Sequence, residues 1–318
     1  MMTYNTIFRR EKGSSHRICE DKYLLAKREN RLLLICADGH GGDCYTRAGL
    51  GARFACCAAS KVLSGNYDAE QSVSLIKDTY DNMVSKHLAH HPLEWWELKK
   101  IGDLPQTDAY GTTLMAAVLT PDYTEIYQIG DGEIHLLSNE GALLLPLQAD
   151  LSCIGNFSSS LALDKDRVTA AFRSARYESA AVCFMFSDGC EGGMLDSLEL
   201  LSQDMSEWDD ALREIFRKTE RGDDQTFLLA YNPDILLGES FNIGVLKTIA
   251  TTKEENRAKK ERAKNIEEYL CLREYLKLAM PIAVTMQHEN DPKLEAFLEK
   301  LHKSYERLKT LKAILNPT

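Results

Sequence analysis

The chain is predicted to be an α+β protein with antiparallel sheets and a helical hairpin at its C-terminal end. Three observations carry this. Apolar runs of strand length recur over the first 231 of its 318 residues, joined mostly by short turns rather than the long crossovers that parallel strands require. Segments with apolar residues at helical spacing lie between them. From Lys253 onward the sequence changes character: 14 Lys and Arg stand against 11 Asp and Glu, a local excess of positive charge in a chain whose net charge is −10.

Taken in order, residues 23–25 and 32–37 are the first strand runs. Residues 113–119 and 123–129 form a pair around the turn formers Pro121-Asp122. Residues 134–137 and 142–145 flank Ser138-Asn139-Glu140-Gly141, a hairpin signal. Residues 181–186 and 226–231 complete the strands. The Ala-rich stretch 52–63 reads as a helix. Val73, Ile76, Tyr80, Met83 and Val84 fall on one helix face, as do Trp208, Ala211, Leu212, Ile215 and Phe216. All three are expected to pack into a core.

The end of the chain reads as two long helices. Residues 253–278 are rich in helix formers, and Pro281 is expected to end or kink that helix. Asp291-Pro292 has the form of a helix start, with Leu294, Phe297, Leu298, Leu301, Tyr305 and Leu308 on one apolar face behind it. That face is expected to pack on the body or its partner helix; the sharper reading is a docking or dimerisation element. Pro233, Gly238 and Ser240 break the pattern near residues 232–242. The expected domains are therefore 1–238, a globular body, and 239–318, a C-terminal helical extension.

Bulk properties exclude several classes. A sequence pI of about 5.4 argues against a nucleic-acid binder. No apolar stretch is long enough to span a bilayer, and the polar first residues carry no signal-peptide pattern. Nine cysteines, an odd number with no CxxC pair, indicate a reducing compartment, so a cytoplasmic location is expected.

Carboxylates recur where apolar runs begin or end. Glu20-Asp21 precedes the run 23–25. Asp38 follows the run 32–37 and opens Asp38-Gly39-His40-Gly41-Gly42, whose glycines let backbone approach a ligand. Ser187-Asp188-Gly189 ends the run 181–186, and Asp223-Asp224 precedes the run 226–231. Acidic groups at buried strand ends are costly without a compensating charge. Mg²⁺ or Mn²⁺ suits an all-oxygen set, and the lack of His or Cys clusters at ligand spacing argues against structural zinc. His87, His90 and His91 read as a solvated helix end. Of Trp95 and Trp96, one is expected to pack inward. Cys190 reads as an inert thiol, raised by the carboxylates around it.

With Gly111-Thr112-Thr113, Gly130-Asp131-Gly132 and Asp223-Asp224-Gln225-Thr226 added, these motifs stand in the order found in metal-dependent serine/threonine protein phosphatases of type 2C, a family the chain resembles over roughly residues 13–231. The resemblance implies a four-layer α-β-β-α sandwich of two antiparallel sheets flanked by helices. It implies hydrolysis of phosphoserine or phosphothreonine by a water activated between two divalent ions, Mn²⁺ or Mg²⁺, with a third ion left open. Under it Asp38 bridges both ions, the Gly39 carbonyl touches one, and Asp188 and Asp223 hold the other. Glu20 and Asp21 act directly or through water, Asp131 serves the third ion, and His40 protonates the leaving oxygen. The implied partner is a phosphorylated protein, a Ser/Thr kinase or its target among the candidates, with neither nucleic acid nor membrane.

Three positions depart from the family pattern. His16 stands where many members carry a phosphate-gripping arginine and is the candidate phosphate-binding residue: it can donate a hydrogen bond, but it cannot reproduce the arginine's bidentate fork. Glu133 replaces an arginine, and Gly192 beside Glu191 replaces an aspartate. Asp131 between two glycines is equally a turn residue. Two rival readings stay open: a phosphatase-fold module that binds phosphopeptides with little turnover, and a small-molecule phosphohydrolase.

Overall fold

The computed structural model describes residues 4–28, 30–144, 147, 158–190, 193–218, 222–288 and 292–315. Leu145, Cys153, Glu191, Gly192 and Asp291 lie outside them. In chain order the first half contains β1 (Asn5–Glu11), β2 (Lys22–Arg28), β3 (Arg31–Ala37), α1 (Ala48–Leu63), α2 (Ala69–His90), α3 (Trp95–Ile101), β4 (Leu114–Leu119), β5 (Tyr123–Ile129), β6 (Glu133–Leu137) and β7 (Leu143–Leu144). The second half contains α4 (Lys165–Ala171), β8 (Arg173–Glu178), β9 (Val182–Phe186), α5 (Gly193–Leu201), α6 (Trp208–Lys218), β10 (Gln225–Tyr231), α7 (Pro233–Leu236), α8 (Glu239–His288) and α9 (Leu294–Leu315). Short 3₁₀ turns occupy Gln106–Tyr110, Asp188–Cys190 and Met205–Glu207.

The strands form two antiparallel five-stranded sheets, ordered β1-β10-β9-β6-β7 and β2-β3-β4-β5-β8. Their stacking explains why the central strands are continuous apolar runs in sequence. Successive side chains of a strand face opposite sides, and here both sides are covered. In β3, Leu32, Leu34 and Cys36 face the other sheet; with Met115 of neighbouring β4 they meet Met185 and Leu228 across the sandwich. Leu33, Ile35 and Ala37 face the helices, packing with Ala52, Ala55 and Ala59 of α1 and Ile76 and Tyr80 of α2. Small residues on α1 let it lie close to the sheet. Across the sandwich, Phe184, Phe186, Phe227 and Leu229 pack with Leu198, Trp208 and Leu212. The result is the expected α-β-β-α order.

Two strands escaped the sequence reading, β1 and β8. Both lie at sheet edges and are rich in charge: β1 carries Arg9 and Arg10, and β8 alternates exposed and half-buried residues as RSARYE. Charged edges discourage pairing with other chains, and the same charges hide the apolar period.

The chain divides into two compact units, residues 1–249 and 250–318. Gly238 and Ser240 do not interrupt a helix from residue 239 onward; α8 starts there and is 50 residues long. Phe241, Val245 and Ile249, four residues apart on α8, are buried in the core of the first unit. Gly244 on the same stretch lies so near Glu140 that a Cβ would collide with its carbonyl, and Thr248 Oγ1 donates to the Gly141 carbonyl at 2.9 Å. Gly141, at φ +75°, is the turn residue of the expected β6–β7 hairpin. Pro281 does not end α8, which runs on to His288. A proline inside a helix costs roughly 3 kcal/mol. Packing of Ala279 and Ala283 with Leu301 of α9, flanked by Tyr275, Leu276 and Phe297, offsets that loss.

Two aromatic expectations need correction. Trp95 and Trp96 are both exposed, because α3 turns Glu97 and Ile101 inward instead. His87 is half-buried: its Nδ1 lies 2.6 Å from the Tyr110 hydroxyl and its ring meets Phe54 edge-on. Among the described residues no helix is long and apolar enough to cross a membrane.

Gly244→Ala should force α8 off the hairpin. Overpacking of this kind costs about 1–3 kcal/mol, so the urea midpoint of the variant should fall measurably with its m-value unchanged. An unchanged midpoint would show that the contact bears no strain.

Candidate metal centre

Strands β3, β5, β9 and β10 bring the acids at their ends together at one edge of the sandwich. Asp38, Gly39, His40, Gly41, Gly42, Tyr45, Thr113, Asp131, Ser158, Asp188 and Asp223 line a single cleft of about 500 Å³. Four of the expected carboxylates therefore converge, contributed by positions as far apart in sequence as 38 and 223.

The segment beginning at Asp38 is clamped by residues 111–113. The Asp38 carbonyl accepts from Thr112 Oγ1 at 2.7 Å and Thr113 N at 2.8 Å, while Asp38 N donates to Thr113 Oγ1 at 3.0 Å. His40 N donates to the Gly111 carbonyl at 3.1 Å. Glycine is required at 111, since a Cβ would strike the rings of Tyr45 and His40. The backbone of Asp38 is thus saturated, and its carboxylate is left to face the cleft.

Asp21 lies beneath this floor, fully buried. Ser187 Oγ and Thr226 Oγ1 donate to its Oδ2 at 2.9 and 2.7 Å. Its Oδ1 is buried without a hydrogen-bond partner. Asp38 stands within hydrogen-bond reach of both Asp21 and Asp188. Burial first, and then the negative charges of Asp21 and Asp188, push the Asp38 carboxyl well above its usual range. Burial likewise raises Asp21 and Asp188. Acids so placed resist ionising together unless a cation joins them.

The oxygen-only donor set and the orphaned Asp21 Oδ1 fit a hard divalent ion of the Mg²⁺ or Mn²⁺ kind. Among the described residues no three His, Cys, Asp or Glu side chains are already grouped to hold an ion. Water and backbone carbonyls would complete the coordination, as is usual for magnesium.

The loop 13–20 is fastened behind the cleft by Asp224, a residue whose role the sequence reading missed. Its buried carboxylate accepts from Gly13 N at 2.8 Å and Glu20 N at 2.6 Å. His16 Nδ1 lies 3.1 Å from Asp224 Oδ2, and His16 Nε2 lies 3.4 Å from Asp223 Oδ1. Both nitrogens of His16 thus face carboxylates. Neither His16 nor Glu20 is among the cleft-lining residues. Glu20 lies half-buried in the loop, and burial raises its carboxyl. Lys22 Nζ ties the same turn, donating to the carbonyls of Cys19 at 2.8 Å and Asp21 at 2.9 Å.

His40 lines the cleft with Nε2 buried and unpartnered, and burial lowers its pKa. Asp131 also faces the cleft and accepts from Ser158 Oγ at 2.9 Å. Glu133 points elsewhere, lying 2.8 Å from His135 Nε2. The Cys190 thiol is pushed up to about 12, chiefly by burial and next by Asp21. Besides Asp224, the sequence reading left Tyr45, Ser187 and Thr226 without roles. The last two carried a usable signal, since short hydroxyls beside a buried acid are its natural donors.

A family model described as protein phosphatase 2C matches residues 10–228. No curated protein matches the chain in sequence. Solved structures share its fold. The phosphatase Stp1 from Staphylococcus aureus is 15% identical, with 73% of this chain and 95% of that one covered and a TM-score of 0.52. The catalytic domain of the serine/threonine phosphatase PstP with two manganese ions is 17% identical, with coverage of 73% and 99% and a TM-score of 0.51. The Mycobacterium tuberculosis PstP/Ppp is 18% identical, with coverage of 72% and 98% and a TM-score of 0.51.

Asp224→Ala should strand the amides of Gly13 and Glu20. Each buried donor left unsatisfied costs about 1–3 kcal/mol. Hydrogen exchange at those two amides should accelerate while the core of β3 stays protected, and native-like protection at Gly13 would refute the fastening role.

Proposed function

The chain belongs to the protein phosphatase 2C family, and from that premise we propose that it removes phosphate from phosphoserine and phosphothreonine in proteins, using Mn²⁺ or Mg²⁺. The observation that supports this most directly is the cleft in which Asp38, Asp131, Asp188 and Asp223 face one another above the half-satisfied Asp21. A group of acids this crowded serves little purpose without cations.

In this reading Asp38, the Gly39 carbonyl, Asp188 and Asp223 would hold two ions, with Asp21 behind Asp38 and Glu20 further back. Bound divalent ions there would lower the pKa of water and offset charge on phosphoryl oxygens. The rest falls to the protein. The clamp of residues 111–113 fixes the Asp38 carboxylate before substrate arrives, so no reorganisation accompanies the reaction. Ser187 and Thr226 hold Asp21 in one orientation. His40, with a ring nitrogen free of protein partners, is placed to give a proton to the departing seryl or threonyl oxygen. Thr113 and Ser158 present hydroxyls along the wall. His16 we assign to holding Asp224 and Asp223 rather than to gripping phosphate, since both its nitrogens already face those acids. Asp131, on the outer wall, is the residue for a third ion.

Asp38→Asn should reduce Mn²⁺-supported release of phosphate from a phosphothreonine peptide by about 10²-fold or more, the scale of losing a principal electrostatic group. A chelator should silence the native enzyme, and added Mn²⁺ should restore it. Near-native turnover in Asp38→Asn would remove the basis of this assignment.

A further inference from the structure

We propose that the outer face of α3 docks the substrate polypeptide, taking an apolar or aromatic side chain accompanied by an acidic one near the phosphorylated residue. This rests on the phosphatase reading above. The helix is seven residues long and buries only Glu97 and Ile101. Trp95 is 75% exposed, Trp96 44%, Leu98 43% and Leu104 49%. Scattered exposed apolar residues are ordinary, but four within ten residues, including adjacent tryptophans, form a patch. Tryptophan is also the residue most enriched at energetic centres of interfaces, because it offers a large rigid surface at small entropic cost.

The attachments of α3 are out of proportion to what it contributes to the core. Arg47 Nε and Nη2 donate to the two Glu97 carboxylate oxygens at 2.8 and 2.7 Å. Thr46 Oγ1 donates to Glu97 Oε1 at 3.1 Å. Arg47 also donates to the His91 and Pro92 carbonyls at 2.6 and 3.0 Å, fixing the chain just before the helix. Glu94 and Glu97 complete a capping box. A buried ion pair adds little net stability over apolar packing, but it fixes geometry. Here it fixes an exposed aromatic pair.

The partner follows from where the helix is fastened. Thr46 and Arg47 directly follow Tyr45, which lines the catalytic cleft, and Lys100 pairs with Asp43 at 3.3 Å, beside cleft-lining Gly42. The patch therefore continues the cleft wall. Among the described lining residues the cleft has acids, hydroxyls, glycines and His40, with Tyr45 the one large aromatic carbon surface. A phosphopeptide must find apolar contact outside it. Lys100 is engaged by Asp43, which leaves Lys99, in the last turn of α3, to set positive charge against the otherwise acidic body and to favour an acidic neighbour in that peptide.

The test uses the full-length protein with Mn²⁺ and a phosphothreonine peptide set. A single Phe next to a Glu is stepped through the five positions on either side of the phosphothreonine, against an Ala-Ala control. Native protein should prefer at least one placement by about tenfold in kcat/KM. Trp95→Ala/Trp96→Ala should abolish that preference through KM, with kcat and p-nitrophenyl phosphate turnover unchanged. Equal rates for all peptides, or a preference that survives in the double variant, would overturn the proposal. Binding is read separately by tryptophan emission, because Trp208 is buried and Trp95 and Trp96 are not. An emission change on peptide binding without turnover of any phosphoester would keep the docking surface and sink the phosphatase reading. Concentration-dependent dimerisation lost in the double variant would assign the face to a second copy and refute substrate docking.

Discussion

The structure depends on placing mutually repelling carboxylates side by side. Like charges at short range in a partly dry site disfavour ionisation, and among the described residues of the cleft wall no Lys or Arg cancels them. The fold meets this constraint by rigidity. Each acid sits close to the end of a strand, so the sheet holds its backbone, and the backbone around Asp38 is further taken up by Gly111, Thr112 and Thr113. The buried acid receives two hydroxyl donors, and the loop carrying Glu20 is pinned by a second, separate buried acid. Preorganisation of this kind places the cost of crowding in folding, where a large core can absorb it.

The layered architecture follows from the same need. Carboxylates from residues 21, 38, 188 and 223 can meet only if strands distant in sequence end at the same edge. Antiparallel pairing supplies this: β3 and β4 pair with Cys36 opposite Met115, and β10 and β9 pair with Phe227 opposite Phe186. Both registers bring acid-bearing turns to one side. The helices cover the outer faces and leave that edge open.

Much of this was legible in the sequence. Central strands announced themselves because both faces are covered, which turns alternation into unbroken apolar runs. The acids were legible because Asp at the end of such a run is anomalous. What escaped did so for physical reasons. Edge strands β1 and β8 carry Arg, Ser and Glu on their open sides, which masks their period. The C-terminal extension was placed from residue 239, but its first helix was read only from 253, because charge drew attention there, whereas the anchoring residues Phe241, Val245 and Ile249 are merely apolar. Asp224 could not be told from Asp223 beside it, since which of two adjacent acids turns inward depends on the amides of Gly13 and Glu20, far away in the chain. The inward tryptophan was expected on composition alone; α3 has only one face to bury, and an ion-paired glutamate occupies it.

Asp21 precedes a strand of one sheet, while Ser187 and Thr226 belong to the other, so the hydroxyl bonds stitch the two layers at their open margin. Between those layers lies Met115, whose thioether sits so close beneath Gly132 that a Cβ would collide with it, one residue from Asp131. The gape of the mouth is therefore governed by interior packing. Exchanging one well-shielded thioether for a shorter or bulkier side chain would act like a shim, resetting the turn that carries Asp131 with every cleft oxygen chemically untouched.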